Sequence, residues 1–547
     1  SVKTAFISVK LFLKLLCTNT QICFFSYSYL CLTRLTNFIL KIFQAPSPIK
    51  PWTEVFDCTK SPPLPFSNNE HMEVVGSEDC LYIEVSTPNI TPDKPLPVMF
   101  WIGSFAYVYY MDSILDPIFL NEQEIVFVRC GFRLGPFGFL SVNDITAPGN
   151  NGLKDIVMAL EWVQQNINSF GGDPNNVTIF GNGSGGAIVH LMMLSPMAAG
   201  LFHKAIIQSA SSLNNWALDK NPAMATLKLA RELKITKTCR LEIVEELRSI
   251  SAVDIMEAFT RLEEANLQNI HTVFNACFKP CIEEEFEGQV AFITKSPAII
   301  LKSKKFNKVP IIIGSNNIEA CCLEFLKTDY YDYEQFNKDV SLLVPRALSL
   351  DKKSSTEIGC KLLKCYLNGE ELWREDTKIQ YLQLLSDYYF LYYVNKTVRL
   401  HYEFAPECPI YYYINNYAGE WSVCEDLKFL NTVGLCAETP FIFGIKDPDG
   451  SHCRGNADSV TTRKRIIKLW TNFAKYGNPT PHDDDPLLQV KWDPIESQHK
   501  LNYLSIGSEL TKGRNPFHRR MEFWDELHNS YQSLRVIAYF NEMGVSW

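Results

Sequence analysis

Residues 168–186 read Asn-Ser-Phe-Gly-Gly-Asp-Pro-Asn-Asn-Val-Thr-Ile-Phe-Gly-Asn-Gly-Ser-Gly-Gly, and this stretch decides the fold. The β-branched run Val177–Phe180 predicts a strand, the glycines after it a tight turn, and Ala187–Leu194 a helix. Strand, glycine-rich turn and helix in that order form the setting of a nucleophile elbow, in which a strained turn lifts one side chain above a sheet. Small residues flank such a turn because backbone passes close to backbone there.

Outward from the elbow, short apolar runs recur at Cys80–Ser86, Pro97–Ile102, Ile125–Cys130 and Val309–Ile313, each bounded by turn residues. Their unbroken hydrophobicity predicts strands covered on both faces. Leu153–Asn168 carries Leu153, Ile156, Val157, Leu160, Val163 and Ile167 at helical spacing. Alternating strands and helices predict an α/β fold: an open, mostly parallel sheet with helices on both faces. The more helical residues 215–430 predict a large insertion over the sheet's C-terminal edge. The net charge of −9, with no basic stripe, argues against a nucleic-acid partner.

Longer blocks make the pattern specific. They include Phe43–Trp52 (F-Q-A-P-S-P-I-K-P-W), Ser77–Ile83 (S-E-D-C-L-Y-I), Phe132–Ser141 (F-R-L-G-P-F-G-F-L-S), Pro148–Asp155 (P-G-N-N-G-L-K-D), Leu201–Ala210 (L-F-H-K-A-I-I-Q-S-A) and Met521–Leu527 (M-E-F-W-D-E-L). In these blocks and their order the chain resembles the type-B carboxylesterase/cholinesterase family, insect esterases in particular, over about residues 43–531. The resemblance implies the α/β-hydrolase fold with a helical cap and, in intact members, carboxylic ester hydrolysis by a serine nucleophile. Function is argued from the site, not from the fold.

The family's elbow reads G-x-S-A-G-G; this chain has Gly181-Asn182-Gly183-Ser184-Gly185-Gly186. Gly183 therefore stands at the nucleophile position and offers no group to acylate. Ser184 falls one residue later, where the family's backbone N–H serves the oxyanion hole; it is the one displaced nucleophile to weigh. The family's H-G-G-G run corresponds to the segment after Ile102, Gly103-Ser104-Phe105-Ala106-Tyr107, so Ser104 and Phe105 occupy oxyanion positions. Losing one oxyanion donor costs about 10²–10³ in rate. The family's H-x-x-E-x-x-[YF]-x-F-G matches Leu435–Gly444, with Glu438 and Phe443-Gly444 setting the register and Leu435 at the histidine position. Leucine cannot accept a proton. Glu319 aligns with the family acid; a buried carboxylate hydrogen-bonded to backbone explains it without catalysis.

We weighed replacements. His190, on the helix after the elbow, reads as packed; His452, in the loop 449–453, would have to swing toward the site. Cys436, beside Leu435, needs an activating base to act as a nucleophile. Cys321-Cys322 and Cys277/Cys281 lack partners for a zinc site, so no metal is expected, and no glycine-rich nucleotide motif points to a cofactor. We therefore expect a non-catalytic binding, recognition or ligand-sequestering protein, taking an apolar ester or a protein partner. The alternative is a weak or altered ester hydrolase using Ser184.

Residues 1–43 are apolar but interrupted by Lys3, Lys10, Lys14, Arg34 and Lys41. A membrane anchor, a signal remnant and non-native translated sequence all stay open for them, and with them membrane association; residues 532–547 read as a tail. Seventeen cysteines and the sequons at Asn89, Asn176 and Asn395 suit a secreted or cell-surface glycoprotein, against a cytosolic alternative. A fourth match at Asn182 falls inside the elbow. Cys80 matches a family cysteine whose partner position holds none; Cys58 is the nearest substitute for a disulfide.

Overall fold

In this computed structural model the residues described are 22–25, 28–34, 42–48, 62–69, 72–110, 115–267, 273–326, 332–344, 348, 351–367, 372–421, 432–445 and 455–542. Eleven strands make one sheet. In chain order they are β1 (Ile22–Phe25), β2 (Ser28–Arg34), β3 (Tyr82–Thr87), β4 (Leu96–Trp101), β5 (Val126–Cys130), β6 (Gly172–Asn182), β7 (Lys204–Gln208), β8 (Ile311–Asn316), β9 (Ile410–Asn415), β10 (Asn502–Ile506) and β11 (Leu510–Arg514). They lie side by side as β1-β2-β3-β5-β4-β6-β7-β8-β9-β10-β11. Every neighbouring pair from β5 to β10 is parallel, and the pairs outside that run are antiparallel. The mostly parallel sheet expected from the continuous apolar runs is the sheet observed.

Both faces are covered, which is why these strands carry no polar face. Val98, Phe100, Ile179, Ile207 and Ile313 point into one core with the helices Asn151–Asn166 and Ser184–Leu194. Met99, Phe127, Phe180, Ile206, Ile312 and Tyr413 point into the other, against Ala457–Tyr476. Burial at about 25 cal/mol per Å² of apolar area makes these two layers the main stabilising term. A buried ion pair ties two of the quoted blocks together. Arg133 Nη2 and Nε meet Asp155 Oδ1 and Oδ2 at 2.7 and 2.8 Å, and the Arg133 backbone N–H donates to Oδ2 at 3.1 Å. This bidentate grip fixes the turn after β5 to the start of Asn151–Asn166, and a lysine could not reproduce it.

Two regular elements lie at or beyond the ends of the family-like region. Residues 22–34, set apart in sequence as anchor, remnant or artefact, include a hairpin whose second strand pairs with β3 (Tyr29 opposite Thr87, Arg34 opposite Tyr82). The sheet thus begins before residue 43. No helix among the described residues is long and apolar enough to cross a membrane. At the other end the helix His518–Glu542 runs through residue 532, where a tail was expected to start.

Candidate active site and its departures

The elbow forms where the sequence places it. β6 ends at Asn182, Gly183 adopts φ +57° and ψ −122°, and the helix starts at Ser184. That conformation costs an ordinary side chain about 1–3 kcal/mol, so it persists only where the surroundings over-determine it. Here they do: Gly183 N–H donates to Gln208 O at 2.9 Å, and Ala187 N–H to Gly183 O at 3.0 Å. At Gly185 a Cβ would stand 2.2 Å from Ile102 O, so only glycine lets the helix pass the end of β4.

The residues aligned with nucleophile, base and acid lie together. A Cβ built on Gly183 would meet Leu435 Cδ1 at 3.5 Å and Cδ2 at 4.0 Å, ordinary van der Waals contact. Leu435 N–H donates to Glu319 O at 3.1 Å. Glu319 itself is fully buried, its carboxylate held by Asn316 N–H at 2.7 Å and by Asn316 Nδ2 at 3.2 Å. Burial, then the neighbouring Glu438 carboxylate, pushes its carboxyl well above the ordinary range.

Glu438, which in the sequence served only to set register, proves to be the centre of a polar layer. Its carboxylate accepts from Tyr413 OH at 2.7 Å, Asn316 Nδ2 at 2.8 Å and Asn182 Nδ2 at 3.2 Å. Burial pushes it upward too, against those hydrogen bonds. Cys436 donates its thiol to Asn182 Oδ1 at 3.2 Å. Burial and the two glutamates push that thiol up, so it stays protonated and is a poor nucleophile. Sequence spacing could not reveal this layer, because Asn182, Asn316, Tyr413 and Glu438 come from four separate segments. The only signal was the row of polar residues ending strands that are otherwise apolar.

The segment after β4 keeps a turn without glycines. Ala106 and Tyr107 take φ of +55° and +62°, and Val108 N–H closes the turn on Phe105 O at 3.1 Å. Two consecutive positive φ values are the mark of a type I′ turn. Tyr107 is held there by its hydroxyl on Ala217 O at 3.2 Å and its ring against Phe139 and Trp216. Phe105 is half-buried and pairs with Tyr109 as a short bridge. Ser184 is clasped by this turn. Its hydroxyl donates to Ser104 O at 2.8 Å, lies 2.8 Å from Ser104 Oγ, and accepts from Tyr107 N–H at 3.4 Å. Among the described residues no histidine hydrogen-bonds that hydroxyl.

His190 lies on the elbow helix and is packed there. His190 Nδ1 accepts the Ser212 backbone N–H at 3.1 Å, which leaves the ring proton on Nε2, 2.8 Å from His401 Nε2. Both rings are buried, and burial lowers both pKa values, that of His401 to about 3. His452 lies outside the described residues. No group of three metal-ligating side chains occurs among the described residues.

Burial bears on two of the candidate modification sites. Asn395 is 3 % exposed inside the helix Tyr392–Phe404, and Thr397 donates to Ser211 Oγ at 2.7 Å. A glycan there would have to enter the core. Cys80 is a buried thiol whose pKa burial raises; its suggested partner, Cys58, lies outside the described residues.

Sheet order and elbow together define an α/β-hydrolase. The Carboxylesterase family model matches residues 41–524, and the chain belongs to that family. It is 30% identical to a juvenile hormone esterase of Tribolium castaneum over 466 residues, 81% of this chain and 78% of that protein. It is 31% identical to venom carboxylesterase-6 of Apis mellifera over 483 residues, 86% of this chain and 85% of that protein. Among solved structures, the juvenile hormone esterase of Manduca sexta with OTFP covalently attached superposes with a TM-score of 0.76 at 23% identity, covering 92% of this chain and 96% of that one.

Proposed function

We propose that this protein is a non-catalytic carboxylesterase-family member that binds a ligand or partner without hydrolysing it. One observation carries the reading: the elbow position bears Gly183, and the side chain facing it is Leu435. An acyl-enzyme needs a nucleophile and a base to activate it, and this pair supplies neither. The turn Ser104–Tyr107 supports the same reading, since it replaces glycines whose N–H groups would meet an oxyanion.

The relatives act on esters by name, so the ligand class we assign is an apolar ester, sequestered rather than cleaved. A protein partner at the cell surface is the other occupant of the same class of function. We place the protein outside the cell, as the venom relative's name places that enzyme. Hydrolysis by Ser184 is the rival reading, and its geometry speaks against it. The Ser184 proton is committed to Ser104 O, with Ser104 Oγ and Tyr107 N–H on its lone pairs.

The test pairs turnover with binding. Purified protein is assayed on p-nitrophenyl esters of increasing chain length, and the same esters are titrated for equilibrium binding. We expect binding with no release of p-nitrophenol above the uncatalysed rate. Saturable release that disappears in Ser184→Ala would overturn the proposal in favour of the rival.

A further inference from the structure

The three sequons are not equivalent, and their surroundings separate them. Asn89 and Thr91 are both exposed, in the connection between β3 and β4. Thr91 N–H donates to Asn89 Oδ1 at 2.9 Å, and Thr87 Oγ1 donates to Asn89 O at 3.0 Å. The side-chain carbonyl is thus turned back on its own tripeptide, and among the described residues nothing hydrogen-bonds the amide nitrogen. Asn176 is half-buried with Lys204 Nζ on its Oδ1, and its threonine, Thr178, is buried inside β6 between β4 and β7. Asn395 and Thr397 are buried in a helix.

We propose that Asn89 is the one of these three sequons at which the chain carries an N-linked oligosaccharide. The reaction joins the Asn89 amide nitrogen to C1 of a sugar donated by a lipid-diphosphate-linked oligosaccharide. The C1–O bond to diphosphate breaks, the diphosphate leaves with the electron pair, and the amide proton is lost to base. The acceptor sequence must be reached by the transferase, and the product must be compatible with the fold; Asn89 meets both conditions.

The position also says where the glycan sits. Leu96 N–H donates to Gly171 O at 2.8 Å, and a Cβ on Gly171 would strike Asn89 O, so the 88–95 connection lies at the start of β6. The elbow lies at the other end of that strand, roughly 23 Å away at ~3.3 Å per residue, because a bulge lets Gly172 pair with Leu96 while Phe180 pairs with Trp101. A glycan at Asn89 leaves the face above Gly183 open.

The test expresses the whole chain behind a cleavable secretion signal in insect cells, with signal removal as proof of entry into the secretory route. Secreted protein is digested and mapped before and after enzymatic removal of N-glycans, which leaves aspartate at each former site. We expect occupancy at Asn89, lost in Asn89→Gln and independently in Thr91→Ala, with Asn176 and Asn395 unmodified. Signal-cleaved protein with Asn89 bare, or secreted folded protein with a glycan on Asn176 or Asn395, would overturn the proposal.

Discussion

Gly183 and Leu435 face each other across the elbow, and a single carbon added to Gly183 would rest 3.5 Å from Leu435 Cδ1. The two positions aligned with the family's nucleophile and base thus lie in contact, occupied by a glycine and a leucine. Glu319, whose backbone carbonyl accepts from Leu435 N–H, stands behind them.

From this spacing follows a gain-of-function prediction. Gly183→Ser with Leu435→His puts a hydroxyl and an imidazole on facing positions of an unchanged frame. We expect measurable ester hydrolysis in the double variant and none in either single one. Without oxyanion glycines at 104–105 the rate should stay about 10²–10³ below that of an intact relative. Turnover of p-nitrophenyl acetate by all four proteins checks this; equal rates would show that the frame is not preserved.

Ser184 ties the elbow helix to the turn after β4 through Ser104 O. Removing its hydroxyl in Ser184→Ala leaves Ser104 O without that donor in a poorly hydrated turn. We expect a loss of about 1–2 kcal/mol in urea unfolding, with no change in whatever ester release is observed. A variant as stable as the parent would free Ser184 for another role.

The Arg133–Asp155 pair should matter more than any surface ion pair. Asp155 is buried, and Arg133→Ala would strand its charge, at a cost of about 3–5 kcal/mol. Arg133→Lys keeps the charge but loses the fork, so its loss should fall between the two. Denaturation midpoints measure both. A loss below ~1 kcal/mol in Arg133→Ala would mean that water reaches Asp155.

The histidine pair gives stability a pH dependence of known sign. His190 and His401 are neutral when folded, with pKa values lowered by burial, that of His401 to about 3. In the unfolded chain they take up protons near ~6.5. The unfolded state therefore binds more protons below that pH. Stability falls as pH drops from about 6.5 toward 3, by up to about 1.4 kcal/mol per pH unit for each histidine. Glu319 and Glu438 act oppositely, because their raised values let the folded state take up protons first as pH falls. Urea midpoints between pH 7 and pH 4.5 should decline more gently in His401→Gln and more steeply in Glu438→Gln. The same slope in His401→Gln as in the parent would contradict the assignment.

The sequence was most legible where chemistry and backbone geometry coincide. Gly181 through Gly186 could form only a tight strand-to-helix turn, and that turn is present. The register set by Glu438 and Phe443-Gly444 put Leu435 opposite Gly183, which is where it stands. What stayed hidden depends on contacts between distant segments. The burial of Asn395 comes from packing of its helix, and the sequon around it carries no trace of that. The hairpin at 22–34 pairs with β3 through backbone groups, which hydropathy does not register. The Asn182–Glu438–Asn316 layer joins residues up to 256 positions apart.

The most direct test of the central claim is the intact mass of the protein after exposure to a fluorophosphonate, which phosphonylates an activated serine. Unfolded protein serves as the background control. We expect no adduct on the folded chain beyond that background. One adduct per chain, mapped to Ser184, would contradict the non-catalytic reading.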